Sequence, residues 1–415
     1  MKLKSILKIL LSFFLLGGIS GFLIVIVSFR MSESPEYEEF AENNPLIGTL
    51  IDVITSTPEE VRKLRETEYP DHDPGHQEFY YRQLKEDERK GYREMLEGIR
   101  NRRTDFYMTI ADPVQIDRIA SALYNDHPEL YWIHNKEKSF TTSYDHATYS
   151  KFSPGYTYTQ QQMQEIDSRI EAAFREVCSL LPENPSDYDM VKTVYEYLID
   201  HTEYVDSEND QSIAGVFWKK EAVCAGYARA AMYLLERLNI PCIFVEGDSL
   251  QEEGRHAWNI VTIDGEYYYM DVTNGDQPDF LVGEASQLLE HKTTVLDYLC
   301  PYPEEYEKLY QASPDFEIPA CTSHAMNFYV LNGSVIDPYS WQAVYDFCCM
   351  RIDNGAAVLR FRLETDEDFD QASDDWLQDD NSRPVSQYYM QRNGLEYVEY
   401  YCGALDTFHT IYFIF

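Results

Sequence analysis

The chain has 415 residues, with 34 basic and 72 acidic side chains, a net charge of −38, and 44% hydrophobic and 14% aromatic residues. That is enough apolar material for a packed core, which excludes a globally disordered chain, and at usual domain sizes the length corresponds to two or three domains. The acid surplus, with no long basic run after residue 30, excludes nucleic acid as a partner, because a phosphate backbone is met by clustered Lys and Arg; eight cysteines in this length do not make a disulfide scaffold.

Lys2, Lys4 and Lys8 precede an apolar stretch over residues 9–29, long enough to cross a hydrocarbon core as a helix. A cleavable signal has an apolar core of about 7–15 residues closed by a small-x-small site. Here FLIVIVSF carries the run on past Gly18 and Ser20, so the segment reads as an uncleaved anchor in the lipid bilayer. The lysines lie before it and Glu33, Glu36, Glu38 and Glu39 beyond it, which places the N-terminus in the cytoplasm and the rest outside the cell membrane. With Lys2, Lys4, Lys8 and Arg30 set aside, 30 bases face 72 acids, a charge of −42 on the exported part.

Residues 1–30 are thus a cytoplasmic tip and anchor, and 31–75 an acidic stalk, with one helix signal at Thr57 as cap and Pro58 as first helical residue. Residues 76–158 read as an N-terminal α+β region. In it an amphipathic helix spans 78–100 with Tyr80, Leu84, Met95, Leu96 and Ile99 inward, DFYMTI and ELYWI are short strands, and residues 113–125 are helical. A core region follows over 159–300, entered by helices at 159–181 and 187–201 whose apolar residues recur at helical spacing. Residues 320–415 read as a separate C-terminal α+β domain: strand NFYVLNGSVI, helix 339–352, strand AAVLRFRL, helix 366–378, then strands LEYVEYY and TIYFIF.

The chemistry is concentrated between Gln211 and Asp276. AVCAGYARA opens a helix with Cys224 at its start, where unpaired amide groups and the helix dipole stabilise a thiolate. Alone, a cysteine at a helix start is more often a small buried hydrophobe. The next motif, GRHAWNIVTIDGEYYYMDVTNGD, contains Asp264 and Gly265, a two-residue hairpin turn between alternating runs. With that turn Ile263 pairs with Glu266, Ile260 with Tyr269 and Trp258 with Asp271. His256 shares their face, which makes His256 and Asp271 diagonal neighbours roughly 7–8 Å apart at the backbone, within side-chain reach unless a bulge shifts the register. Cys224, His256 and Asp271, separated by 32 and 15 residues, supply a nucleophile, a base and an orienting carboxylate.

On AVCAGYARA, HAWNIV and YYYMDVT, the stretch of about residues 160–280 resembles the transglutaminase-like superfamily, in an exported, membrane-anchored form. The resemblance implies an α+β fold: a papain-like core with the nucleophile helix packed on an antiparallel sheet, preceded by the transmembrane helix and followed by the extra C-terminal domain. It also implies a cysteine enzyme that acts on amide bonds of peptides, proteins or cell-wall peptide through a thioester, by acyl transfer, hydrolysis or deamidation, without a cofactor. Cys224 would attack, His256 would move the proton and Asp271 would fix the imidazole. The Cys224 N–H and the Gln211 side chain are the candidate oxyanion donors, and Trp258 is either cleft wall or core packing.

Weaker features are read conservatively. Cys242 is a buried strand residue. No HExxH or CxxC spacing indicates zinc. The carboxylates Asp271, Asp276 and Asp279, and the run from Asp366 to Asp380, read as solvated acidic faces rather than Ca²⁺ sites. Tyr227 and Arg229 receive no chemical role. The alternative from another class is a catalytically silent surface binding module, or a C-terminal domain that binds through Tyr388, Tyr389, Tyr397, Tyr400 and Tyr401.

Overall fold

The structure is a computed structural model and describes Asn43 and residues 58–69, 78–144, 147–277, 294–377 and 381–415. The predicted anchor at 9–29, most of the stalk at 31–75, and Asp279 lie outside the described residues. Among the described residues no helix is long and apolar enough to cross a membrane.

The chain divides into two compact units. The first contains described residues of 58–69, 84–123 and 133–157. Its helix α1 (Glu59–Glu66) is capped by Pro58, one residue earlier in role than predicted. The amphipathic pattern of 78–100 forms a helix only over α2 (Glu86–Arg100), which buries Tyr92, Met95, Leu96 and Ile99. Strand β1 (Phe106–Met108) and helix α3 (Pro113–Asp126) follow as predicted. ELYWI does not form a strand. Its Leu130 and Tyr131 are buried within turns, and β2 (Ile133–Tyr144) begins only at its last residue, pairing with β3 (Ala147–Tyr156) to complete an antiparallel sheet of order β1-β3-β2.

The second unit contains the core. Helices α4 (Gln160–Leu180) and α5 (Asp187–His201) start at capping boxes, in which the Thr159 and Ser186 hydroxyls accept from the Gln162 and Asp189 amides. Ile166, Ile170, Val177, Val191, Val194 and Leu198 are buried in one cluster, as their spacing requires. After the short parallel pair β4 (Glu203–Tyr204) and β5 (Glu221–Ala222), α6 (Cys224–Arg237) packs on β6 (Cys242–Ser249) and β7 (Arg255–Ile263). Alanine favours the helix intrinsically, and Ala225, Gly226, Ala228, Ala230 and Ala231 let strands and loops approach it closely.

Strand β8 (Glu266–Met270) returns through the Asp264–Gly265 turn, followed by α7 (Val272–Gly275), α8 (Pro303–Tyr306) and β9 (Tyr310–Ala312). The sheet has the order β8-β7-β6-β9, antiparallel throughout. Gly247 admits β9: a Cβ there would lie 2.1 Å from the Gln311 carbonyl oxygen.

The C-terminal residues of this unit build a second sheet. NFYVLNGSVI gives not a strand but α9 (Phe328–Leu331) and the two-residue β10 (Val335–Ile336). Helix α10 (Trp341–Asp353), β11 (Val358–Leu363) and α11 (Asp366–Leu377) occur near the predicted places. Helix α12 (Arg383–Asn393) was not anticipated, and LEYVEYY contributes only Tyr401 to β12 (Tyr401–Leu405), which pairs with β13 (Thr410–Ile414). The order is β10-β11-β13-β12 around a core containing Trp376, Phe361 and Phe413.

Candidate active site

Cys224 is the first residue of α6. Val223 occupies the cap position in extended conformation and gives no side-chain cap, so the first amides of the helix are presented to whatever lies at its mouth. The loop before β5 closes on this end: the Val223 amide donates to the Asp210 carbonyl at 3.2 Å. Gly226 makes that approach possible, since a Cβ there would come within 2.2 Å of the same oxygen. Gln211, next in the chain after Asp210, is exposed. Arg229, one turn along α6, fixes the loop by donating Nη1 to the Gln211 carbonyl at 2.9 Å, and its guanidinium lies over the Phe244 ring.

The hairpin carries the other two groups. Its register runs as predicted from Ile263–Glu266 through Ile260–Tyr269 to Asn259–Met270, and ends there. The expected Trp258–Asp271 pair does not form, because Asp271 leaves the strand to cap α7, its Oδ1 accepting from the Asn274 amide at 3.1 Å. The diagonal contact survives: His256 Nε2 lies 2.7 Å from Asp271 Oδ2. Cys224 is close enough to the same imidazole to help raise its pKa. With Nε2 committed to Asp271, Nδ1 is the ring nitrogen left for the thiol.

Asp271 is fully buried, so it is not the solvated carboxylate expected from its acidic context. Its Oδ2 accepts from Tyr306 Oη at 3.0 Å and from Asn274 Nδ2 at 2.8 Å as well as from His256. Burial, then the Asp271 charge, push the Tyr306 phenol well above its ordinary range, so it stays protonated and donates. Asp276 is buried too, and its Oδ2 accepts from Tyr227 Oη at 2.5 Å. His256 is only 11% exposed at its side chain. Burial alone would lower its pKa, but the charge and hydrogen bond of Asp271, joined by those of Cys224, prevail and raise it to about 10.

Aromatic rings hold the imidazole. Tyr310 stacks on it with centroids 4.3 Å apart and its hydroxyl accepts from Asn274 Nδ2 at 2.8 Å. Trp258 is near parallel to the imidazole at 6.1 Å and 2% exposed, so it is at once core packing and wall of the site. Asn274, Tyr306 and Tyr310 were missed from sequence. Asn274 had a legible signal, as the third residue after a capping Asp; the two tyrosines lie 35 and 39 residues beyond Asp271 with no local mark. Cys242 is a buried strand residue, as expected. Among the described residues no cluster of metal-ligating side chains occurs.

Residues 179–272, which include Cys224, His256 and Asp271, match the transglutaminase-like superfamily, so this part of the chain is a transglutaminase-like domain. No curated protein matches the chain. Among solved structures, a TGase is 15% identical over 41% of this chain and 50% of its own, with a TM-score of 0.25. A candidate cysteine protease from Cytophaga hutchinsonii is 14% identical over 34% and 66%, with a TM-score of 0.23. A candidate protease from Parabacteroides distasonis is 10% identical over 36% and 38%, with a TM-score of 0.21. This chain spans half the length of the first of these and no more than two thirds of any of the three.

Proposed function

We propose that the transglutaminase-like domain is a cysteine enzyme acting on amide bonds of peptides, proteins or cell-wall peptide, with Cys224, His256 and Asp271 as its triad. The observation that carries this is the 2.7 Å His256–Asp271 contact on an imidazole that also meets Cys224 at a helix start. The Cys224 thiolate adds to the amide carbonyl, and the tetrahedral oxyanion is received by the Cys224 amide and the Gln211 side chain. The C–N bond then breaks as His256 Nδ1 delivers its proton to the leaving amine, which leaves a thioester. Water or a primary amine, deprotonated by the now neutral imidazole, attacks the thioester, and the thiolate leaves. Asp271 keeps the proton of Nε2 in place throughout.

In this reading residues 9–29 anchor the chain in the cell membrane with the N-terminus cytoplasmic, and the domain works outside the cell. The charge of −42 on that part then favours basic, lysine-bearing substrates at low salt.

The test incubates the full chain, wild type and Cys224→Ala, with a protein mixture and a labelled primary amine. Label uptake by the wild type alone identifies acyl transfer, and new N-termini identify hydrolysis. Equal results for both chains would reject the enzyme and leave a binding module. Gln211→Ala is expected to lower kcat about 10²-fold, the cost of one oxyanion donor, without changing the rate of Cys224 alkylation. Unchanged turnover would remove Gln211 from the site.

A further inference from the structure

A cavity of about 380 Å³ lies behind the rings that hold His256. Its wall includes Leu250, Trp258, Tyr269, Tyr306, Glu307 and Tyr310. Three of these rings are in contact in series: Tyr269 stacks on Tyr306 at 4.8 Å, and Tyr306 meets Tyr310 at 5.4 Å with the planes tilted by 44°. None of the lining residues is basic, and Glu307 is the one charged side chain among them. Glu307 is exposed and uses Oε1 to accept from Tyr269 Oη at 2.9 Å, which pins the carboxylate against the aromatic wall.

The neighbouring turn adds to the negative potential. Asp248, Glu252 and Glu253 line an adjoining recess that shares Leu250 with the cavity, and its single base, Arg255, lies 3.8 Å from the Glu246 carboxylate. Burial first, and then the charges of Asp271 and Glu252 among others, push the Tyr310 phenol up, so the field of the turn reaches the cavity wall. Trp258 adds a neutral feature: its indole N–H has no hydrogen-bond partner although the ring is 2% exposed.

We infer that this cavity is a specificity subsite for a basic side chain, lysine or arginine, of the peptide substrate, a step that rests on the reading of the domain as a peptide-amide enzyme. The methylene stem packs on Leu250 and the rings. The cationic head meets the Glu307 carboxylate, an attraction that an uncharged side chain of equal length cannot use. Tyr310 and Trp258 connect the occupied subsite to His256, so a side chain bound there orients the scissile amide.

The test measures binding, on the full chain carrying Cys224→Ala, of N-acetyl-lysine amide and of its uncharged counterpart N-acetyl-norleucine amide, followed through the indole N–H resonances. The expected result is at least tenfold tighter binding of the lysine compound, with the Trp258 resonance shifted. Glu307→Gln, which retains an acceptor for Tyr269, is expected to reduce the preference to within about twofold. Equal binding of the two compounds, binding of neither, or a preference that survives Glu307→Gln would overturn the assignment. Because the nucleophile is absent, these outcomes are separate from failure of the catalytic reading, which shows as turnover independent of Cys224.

Discussion

Asp271→Asn is expected to lower kcat/KM by roughly 10³–10⁴-fold while the protein remains folded. The reason lies in the tautomer. In the wild type Nε2–H points at Asp271 Oδ2, 2.7 Å away, which leaves Nδ1 to exchange a proton with Cys224. An asparagine amide donates to Nε2 instead and forces the proton onto Nδ1, where it blocks the thiol. The pH profile should move as well. His256 holds its proton to about pH 10 because Asp271 outweighs the burial that works against the cation. In the proposed mechanism the form that protonates the leaving amine is the imidazolium, so wild-type kcat/KM is expected to fall only as pH rises through about 10. In Asp271→Asn the burial is no longer offset by a carboxylate, and the alkaline limb drops toward or below the ordinary imidazole value of roughly 6.5. Thermal unfolding and kcat/KM against pH on both chains check this. An unchanged alkaline limb would separate Asp271 from the titration of His256.

Glu305→Ala is expected to cost about 3–5 kcal/mol of stability, the range for removing one partner of a buried ion pair. Arg362 and Glu305 are 2% and 4% exposed. The guanidinium donates Nη1 to Oε2 at 2.9 Å and Nη2 to Oε1 at 2.6 Å, a bidentate fork, and Nη1 also donates to the Phe408 carbonyl. Without the carboxylate a full positive charge stays buried, stacked over the Tyr302 ring at 3.8 Å. Since the desolvation of the lone charge is what destabilises, Glu305→Leu combined with Arg362→Met should recover most of the loss. Denaturant unfolding of the single and double variants measures both. A single variant as stable as the wild type would show that the pair contributes nothing. Glu305 precedes Tyr306, which donates to Asp271. This pair therefore joins the C-terminal sheet to the support of Asp271, and on the proposed function the single variant is expected to lose activity as well as stability.

The parts of the fold that were legible are those written in short-range patterns. Helix α5 occupies the predicted residues because a capping serine and a 3.6-residue apolar period specify both its start and its inward face. The β7–β8 register follows from one Asp-Gly turn, since a two-residue loop and the alternation of side chains leave a single pairing. The errors fall where an apolar run has no turn to date it. NFYVLNGSVI is apolar enough for a strand, yet Asn327 caps a four-residue helix there with its Oδ1 on the Tyr329 amide at 3.0 Å. The β2–β3 hairpin escaped because its sequence is rich in Ser, Thr and Lys and shows little apolar alternation.

For the site, the sequence alone singled out Cys224, His256 and Asp271 and foretold the contact between two of them. A helix start, a turn and strand periodicity are local physics, and they bring His256 to Asp271 without reference to the rest of the chain. Only the tertiary structure decided what surrounds them. Strand β9 reaches β6 over the flat back of Gly247, which places Tyr310 on the imidazole, and α8 returns Tyr306 to a carboxylate 35 residues earlier. Those contacts depend on packing between segments distant in sequence, where no turn or period fixes the geometry, and they help to bury Asp271, whose Oδ2 accepts from three donors.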